Sequence, residues 1–276
     1  MTITRLATLI LASLMVSHIT ASPVDTSASS SSSSDALRAD SVAVHTADGV
    51  RVMTRAAYMS KLKEDGVQIG APATHEGLVT YNAQQLAEFE AAQAVNKSSD
   101  APPVTGALLS RRDKCQNKKW VLVDNTTTFV DADVQMSPVV CAQGSIMVAV
   151  ANGYMVSNTI GISSGLSPTI VKDALSSSLG IEFSRSWTTS SVITTTGTVT
   201  DKNCGVMITQ PMITRRTGRV MQGCIDNTEQ IGTFHADSHK EITISSMKWV
   251  EGAISMCMKA GVKPPLSRCN GDGNFV

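Results

Sequence analysis

The sequence predicts a mainly β fold: a compact β-sheet domain or sandwich with one short α-helix, stabilised by disulfides and preceded by a small α+β segment. Between residues 119 and 162, short runs rich in β-branched residues alternate with Asn, Asp and Gly, which is typical of strands joined by turns. Within residues 113–276, only residues 167–180 show helical spacing. All six cysteines follow residue 112, and an even number suits a disulfide-stabilised exported domain.

Composition excludes two large functional classes. The 276 residues carry 23 Lys and Arg against 23 Asp and Glu, so the chain is neither a polybasic nucleic-acid binder nor an acidic disordered protein. We therefore predict no nucleic-acid partner. Only 17% of residues are charged while Ser and Thr are abundant, a balance that favours an extracellular protein.

Residues 1–21 have the pattern of a secretory signal peptide. Arg5 supplies the positive start, and Leu6 to Met15 form an apolar run of about ten residues, half the roughly twenty that a membrane-spanning helix needs. Cleavage is expected after Ala21, and a retained membrane anchor is the alternative. The chain is therefore predicted to be secreted.

Residues 22–112 are interpreted as a pro-segment. Its Ser-rich tract, residues 27–34, is too polar to bury a core and is expected to be disordered. A hairpin follows, with strands Ser41 to His45 and Val50 to Met53 around the turn Asp48-Gly49. Two helices are predicted after it, Thr54 to Lys63 and Ala83 to Val95, with Thr54 and Asn82 as N-caps.

The pro-segment ends at a dibasic pair, Arg111-Arg112. A kexin-type protease recognises paired positive side chains on an accessible segment, and this pair follows a polar linker just before the first cysteine. The alternative is an unprocessed pair of surface charges, since a second pair, Arg215-Arg216, lies inside patterned sequence. Processing would leave a single mature domain, residues 113–276.

The cysteines are candidates for up to three disulfides, and fifteen connectivities remain open. No C-x-x-C pair occurs, so zinc ribbons and thioredoxin-like sites are not expected. The six residues are Cys115, Cys141, Cys204, Cys224, Cys257 and Cys269.

The helix of the mature domain is predicted over Pro168 to Leu179. Ser167 is a suitable N-cap, Pro168 suits the first helical position, and Gly180 suits the end. Its apolar stripe consists of Ile170, Val171, Ala174, Leu175 and Leu179.

Residues 184–200 are Ser or Thr at 11 of 17 positions. As a strand, this segment places hydroxyls on one face and Trp187, Ile193 and Val199 on the other. Such a strand is long enough for a β-hairpin of a pore-forming toxin. The alternative is an edge of a secreted β-sheet that presents Thr to water, and Pro211 in the following strand favours it because proline removes a ladder donor.

One constellation has residue types suited to site chemistry: His235, Asp237 and His239. On a strand they would point the same way and could hold a metal or act in catalysis, whereas the alternative is a polar strand facing solvent. No catalytic signature is recognisable, so neither an enzyme activity nor a cofactor is predicted.

Two sequons, at Asn96 and Asn125, are N-glycosylation candidates.

Five stretches of the sequence carry a family resemblance: Asn152 to Tyr154 with Ser157-Asn158, Val171 to Leu175 with Leu179-Gly180, Arg185 to Ser190, Thr214 to Val220 with Gly223-Cys224, and Met247 to Cys257. Through them, residues 115–258 resemble a family of fungal secreted effector-like proteins. The resemblance implies a small, disulfide-containing protein from a filamentous ascomycete, suspected of acting on a plant or other host. It implies no reaction and no catalytic residues.

The matched residues allow a physical interpretation as well. Trp249, Val250, Ala253 and Ile254 are expected to form core around Cys257. Arg215, Arg216 and Arg219 are candidates for an exposed basic strip that contacts a partner, and the alternative is a strand face exposed to solvent.

The leading functional hypothesis is a secreted, virulence-associated effector that binds a host protein, glycan or membrane. The first alternative is a pore-forming or membrane-active toxin that uses the hydroxyl-rich strand 184–200. The second is a secreted hydrolase dependent on His235 or His239.

Overall fold

A computed structural model describes residues 36–97, 118–189, 195–224, 227–244 and 247–276, with the side chains of 95–97, 244 and 247 left out of the description. The predicted signal peptide, Ser-rich tract, dibasic pair and Cys115 lie outside these residues, as does the side chain of Asn96. The described helices are α1 (Arg55–Glu64), α2 (Ala83–Lys97) and α3 (Pro168–Leu179).

The described fold is mainly β, as the sequence predicts. The strands are β1 (Ser41–Thr46), β2 (Gly49–Thr54), β3 (Gln68–Ile69), β4 (Leu78–Asn82), β5 (Lys119–Val130), β6 (Val134–Gln135), β7 (Val140–Cys141), β8 (Ile146–Ala149), β9 (Met155–Ser157), β10 (Thr159–Ser163), β11 (Ser186–Thr188), β12 (Thr196–Val199), β13 (Asn203–Cys224), β14 (Asn227–His239), β15 (Glu241–Ile244), β16 (Met247–Val250), β17 (Gly252–Ala260), β18 (Leu266–Ser267) and β19 (Asn274–Phe275). All of their pairings are antiparallel except that of β3 with β5.

The 22-residue strand β13 organises the main sheet. Its N-terminal half pairs with β17 on one side and with β6 and β7 on the other. Its C-terminal half pairs with β14 and β5. Pro211 lies where the partners change, so its missing N–H interrupts neither ladder.

Further strands extend this sheet in both directions. The path runs β2-β1-β17-β13-β14-β10-β4, and β3 lies beside β5. The four two-stranded sheets are β8 with β12, β9 with β11, β15 with β16, and β18 with β19.

Two large apolar clusters lie on the two halves of the sheet. One surrounds Met207, Trp249 and Met256 and includes residues of β8, β11 and β12. The other surrounds Phe234 and Ile160 and is covered by α2 and α3. The expected core residues Trp249, Val250, Ala253, Ile254 and Cys257 are all buried, although they are distributed over three clusters.

The three helices begin close to their predicted starts. Thr54 Oγ1 accepts from the N–H of Ala57, and Asn82 and Gln85 form a reciprocal capping box at α2. Gly180 ends α3 in the left-handed conformation at φ 65°, which a Cβ would disfavour. Two details differ from the prediction: the Ser167 side chain makes no cap hydrogen bond, and Ile170 lies on the exposed side of α3.

Residues 36–97 share the main sheet with residues 118–276. Strand β1 pairs with β17, β3 with β5, and β4 with β10. The described residues belong to one compact unit. The segment interpreted as a pro-segment therefore supplies strands at several edges of the sheet.

Two disulfides join described residues: Cys141 to Cys204 and Cys257 to Cys269. Cys141 and Cys204 lie opposite each other on β7 and β13. Cys224 is also disulfide-bonded. Among the helices of the described residues, none combines the length and hydropathy required to span a membrane.

Candidate functional site

The residues His235, Asp237 and His239 occupy alternate positions of β14, so they share one face of the sheet. This is the orientation that the sequence predicts. His235 and Asp237 are buried, however, so the stretch is not a solvent-facing strand. The face lies opposite the one that α2 and α3 cover, where Ala236 contributes to the apolar cluster.

Asp237 forms a buried bidentate ion pair with Arg215, its cross-strand neighbour on β13. Arg215 Nε and Nη2 donate to the two carboxylate oxygens at 2.7 and 2.6 Å. Arg215 Nη1 donates to the carbonyl of Pro72 at 2.7 Å, and the guanidinium lies 5.0 Å from the ring centroid of Phe129. Both side chains of this pair are almost fully buried, and the guanidinium has a protein partner for each of its three nitrogens.

The predicted basic strip is wrong for this reason. Arg215 is only 8% exposed, and Arg216, one residue further along the strand, points to the other face and donates to Ser238. Arg219 is partly exposed, but its Nε and Nη2 both donate to the carboxylate of Asp124. The three arginines therefore do not form a common cationic surface.

His235 packs directly against the backbone of β10. A Cβ on Gly161 would lie 2.0 Å from His235 Cε1, so the imidazole requires glycine at that position. Burial lowers the pKa of His235, while the charge of Asp237 opposes that shift. Its Nδ1 is buried without a hydrogen-bond partner within the described residues. The ring is therefore held as a neutral, close-packed group.

His239 is fixed by a neighbouring turn. Its backbone N–H donates to Asn158 Oδ1 at 2.8 Å, and its ring stands edge-on to Trp187 with centroids 5.6 Å apart. Burial lowers its pKa to about 4. A neutral imidazole is thus expected at neutral pH.

The buried polar face is crossed by residues 70–77, which we call the crossing segment. It leaves β3 at the β5 edge and enters β4 at the β10 edge, and Pro72 touches Arg215 between them. Arg215, His235 and Asp237, which lie on the face under it, are buried. This covering explains how a bidentate Arg–Asp pair and a neutral histidine are accommodated inside a sheet.

The arrangement does not offer the metal site that the three residues suggest. Both oxygens of Asp237 are engaged by Arg215, so no free carboxylate faces the histidines. A second acidic group, Asp133, lies near Cys257 and Cys269. Its oxygens accept from Gln210 and Asn270, and the two sulfurs are joined to each other. In the Asp133 set every ligand atom is engaged. In the other set His235 Nδ1 and His239 Nε2 have no partner within the described residues, but the carboxylate that would share a cation with them is held by Arg215.

The hydroxyl-rich segment is arranged differently from the single long strand that the sequence predicts. Its described part forms two short strands, β11 and β12, which pair with β9 and β8. Backbone hydrogen bonds from Val150 to Thr195 and from Thr189 to Tyr154 link the two pairs. Residues 146–157, 186–189 and 195–199 thus make one antiparallel unit, which we call the ribbon.

The predicted division into two faces holds in the described part of the ribbon. Trp187 and Val199 are buried in the core, and Trp187 Nε1 donates to Glu241. Gly197 packs against the side chain of Met256, which brings the ribbon close to β17. Val148 and Val156, on the partner strands, are buried in the same cluster, so the ribbon is an outer layer held by one face of each of its strands.

The outward face of the ribbon combines hydroxyls with methionines. Thr198 lies opposite Met147 and Thr188 opposite Met155, and partners in an antiparallel pair share a face. Met147 is 63% and Met155 45% exposed. No residue of 146–157 or 186–199 carries a charge. An uncharged exposed surface with flexible apolar side chains is typical of interaction sites.

Two further features lie at the surface: the glycosylation candidate Asn125 and a depression beside α3. Asn125 is exposed on β5, where its Nδ2 donates to Thr127 Oγ1 at 3.2 Å. A shallow depression of about 270 Å³ lies beside α3 and is lined by Lys172, Ser176, Gly180, Ile181, Glu182, Phe183 and Ser184. The depression contains none of the candidate histidines.

Sequence reasoning missed two features of this region. The pairing of Arg215 with Asp237 was signalled by opposite charges inside two β-rich stretches, but the cross-strand register was needed to bring them together. The methionines of the ribbon gave no periodic signal, because β8 and β9 are only four and three residues long.

Comparisons with protein-family models, with curated proteins and with solved structures found no match to this chain. The functional argument therefore depends on the chemistry of the described surfaces.

Proposed function

We propose that this protein is a secreted effector that acts outside the cell by binding a host surface through the outward face of the ribbon. The observation that supports the proposal is an exposed, uncharged face that places Met147 and Met155 beside threonine hydroxyls. Methionine adapts its shape to a partner, and hydroxyls satisfy polar groups at the rim of a contact.

The state of the candidate catalytic residues on β14 also favours binding over catalysis. His235 is buried and His239 is partly buried, and the carboxylate of Asp237 is neutralised by Arg215. A general base must reach its substrate, and the crossing segment lies over this face. The predicted signal peptide and the disulfides are consistent with an oxidising extracellular environment.

The test measures binding of the purified, oxidised protein to host cells. We expect Met147→Glu combined with Met155→Glu to weaken binding at least tenfold, because two carboxylates would have to lose water at an uncharged contact. The control is Val52→Glu on β2, since Val52 is 62% exposed and lies outside the ribbon. Equal binding by wild type and the double variant would contradict the proposal.

A membrane-active toxin is the second candidate, and the absence of charge along the ribbon favours it. Its test is dye release from lipid vesicles and leakage of host protoplasts, each compared with a fully reduced control. Leakage that requires intact disulfides and is abolished by Met147→Glu would select the toxin. Binding to cells without leakage would select the binding effector.

A further inference from the structure

The segment 36–97 contributes to the sheet at three separate edges. Residues Val42 to His45 of β1 pair with β17, residues of β4 pair along the whole of β10, and β3 pairs with the end of β5. Removing the segment would leave these edges with unpaired backbone donors and acceptors, which is unfavourable in a folded sheet. The sheet formed by residues 118–276 is therefore incomplete without it.

The segment also fills each of the three largest apolar clusters. Leu37 belongs to the cluster around Trp249. Tyr58 and Leu62 belong to the cluster that contains Val130 and Ala253. Leu86 belongs to the cluster around Phe234. All four of these side chains are almost fully buried. A detachable covering would touch the surface of a finished core, whereas this segment is part of the core.

Polar contacts join the two parts at further points. Arg55 donates to Ser255 Oγ and to the carbonyl of Met256, each at 3.3 Å. Lys172 of α3 pairs with Glu90 of α2. Arg215, inside the sheet, donates to Pro72 of the crossing segment. Loss of the segment would leave the buried Arg215–Asp237 pair open to solvent on that side.

The path of the segment opposes its release. It runs from β1 at the β17 edge through α1 to β3 beside β5, and then across the face of the sheet to β4 beside β10. Separation requires all of these attachments to break together, which makes it a cooperative and slow event.

We propose that residues 36–97 remain bound to residues 118–276 as a non-covalent strand donor when the chain is cut at Arg111-Arg112, so that the processed protein consists of two chains. The partner that the edges of β17, β10 and β5 fit is this segment of the same precursor. All six cysteines follow Arg112, so no disulfide can join the two products and their association is directly measurable.

The test starts from the purified uncut precursor and a kexin-type protease. Complete cleavage is verified on a denaturing gel, and the products are then separated by size-exclusion chromatography under native conditions. We expect both products to elute together at the size of the uncut protein, also after overnight dilution to nanomolar concentration. Elution of a free small product beside a folded large one would overturn the proposal.

Two variants identify the cause of the association. Leu62→Ala removes a buried side chain of α1, whereas Met59→Ala changes an exposed one on the same helix. We expect the cut Leu62 variant to dissociate at least tenfold faster and the cut Met59 variant to behave as wild type. Equal dissociation rates would contradict the role given to the core contacts.

A second measurement keeps the test decisive if the Leu62 variant does not fold. Amide hydrogen exchange of cut and uncut wild type is compared in β17 and β10, the strands that the segment pairs with. Retained protection in both strands supports the two-chain protein, and lost protection contradicts it. Where the protease leaves Arg111-Arg112 intact, a site for an unrelated protease inserted between residues 98 and 117 supplies the cut.

Discussion

The two halves of β13 are stabilised in different ways. From Cys204 to Pro211 every residue is buried, whereas between Met212 and Val220 buried residues are interspersed with partly buried ones, and the last four residues are all partly buried. The first half has apolar residues on both faces, and Cys204 joins it to β7. The second half has helices on one face and the crossing segment on the other. A strand that is buried on both faces consists mostly of apolar residues, whereas a strand that is less completely covered retains polar residues.

The largest loss of stability should come from the second half, when one charge of its buried ion pair is removed. Asp237→Ala leaves Arg215 buried without its counter-charge, and we expect the free energy of unfolding to fall by about 3–5 kcal/mol in urea titrations. The matched control is Asp124→Ala, which removes the exposed partner of Arg219 and should have a much smaller effect.

A double variant sharpens this prediction. Arg215→Met combined with Asp237→Leu replaces both charges with apolar groups and should recover most of the lost stability, because neither charge is then left unpaired. Additive losses in the double variant would show that the pair is not coupled as described.

The next largest loss of stability should come from the first half, when its disulfide is opened. Replacing Cys141 and Cys204 with Ser opens a loop with a sequence separation of 63, and chain-entropy arguments give a loss of about 4 kcal/mol. Opening the Cys257–Cys269 bridge, with a separation of 12, should cost about 3 kcal/mol. Thermal and urea unfolding of the two paired variants measure the difference, and a reversed order would refute the entropic explanation.

Acid should weaken the sheet around the first half through His45 of β1. Burial lowers the pKa of His45 to about 4, and neither of its ring nitrogens has a hydrogen-bond partner within the described structure. The unfolded chain therefore binds a proton more readily than the folded one. The stability that depends on neutral His45 is complete above about pH 6.5 and is lost as the pH falls towards 4.

The magnitude expected for His45 is about 2–3 kcal/mol between pH 7 and pH 4.5, measured by urea unfolding at both values. His45→Leu should remove this part of the pH dependence and leave the part that comes from His239, whose pKa burial also lowers to about 4. His75→Gln, at an exposed position of the crossing segment, is the control. A wild-type profile in the His45 variant would rule out this residue as the source.

The smallest effect concerns the close packing of His235 on Gly161. Gly161→Ala should destabilise the protein by roughly 1–3 kcal/mol, because the new methyl group would overlap the imidazole. His235→Ala should relieve that overlap, so the double variant should lose less than the sum of the two single variants. Simple additivity would show that the contact does not limit the position.

Local features were predictable because their signals are short-range. Thr54, Asn82 and Gly180 act where the sequence predicts helix boundaries, since capping and left-handed conformations depend on a few neighbouring residues. The mainly β class and the alternation of Trp187 and Val199 inward followed from residue types and the two-residue period of strands.

Long-range features were not predictable from one sequence. Arg215 was expected at the surface because arginine is seldom buried, and only the register with Asp237 explains the exception. The contribution of β1 and β4 to the main sheet depends on partners about 200 and 80 residues away, for which local patterns carry no signal.

The central claim, that the ribbon is the host-binding surface, is tested most directly by a hydrogen-exchange footprint. The purified protein is compared free and bound to host cell surfaces. We predict added amide protection in residues 146–157, 186–189 and 195–199, with little change in β2 or β4. Protection elsewhere, with the ribbon exchanging as in the free protein, would contradict the account.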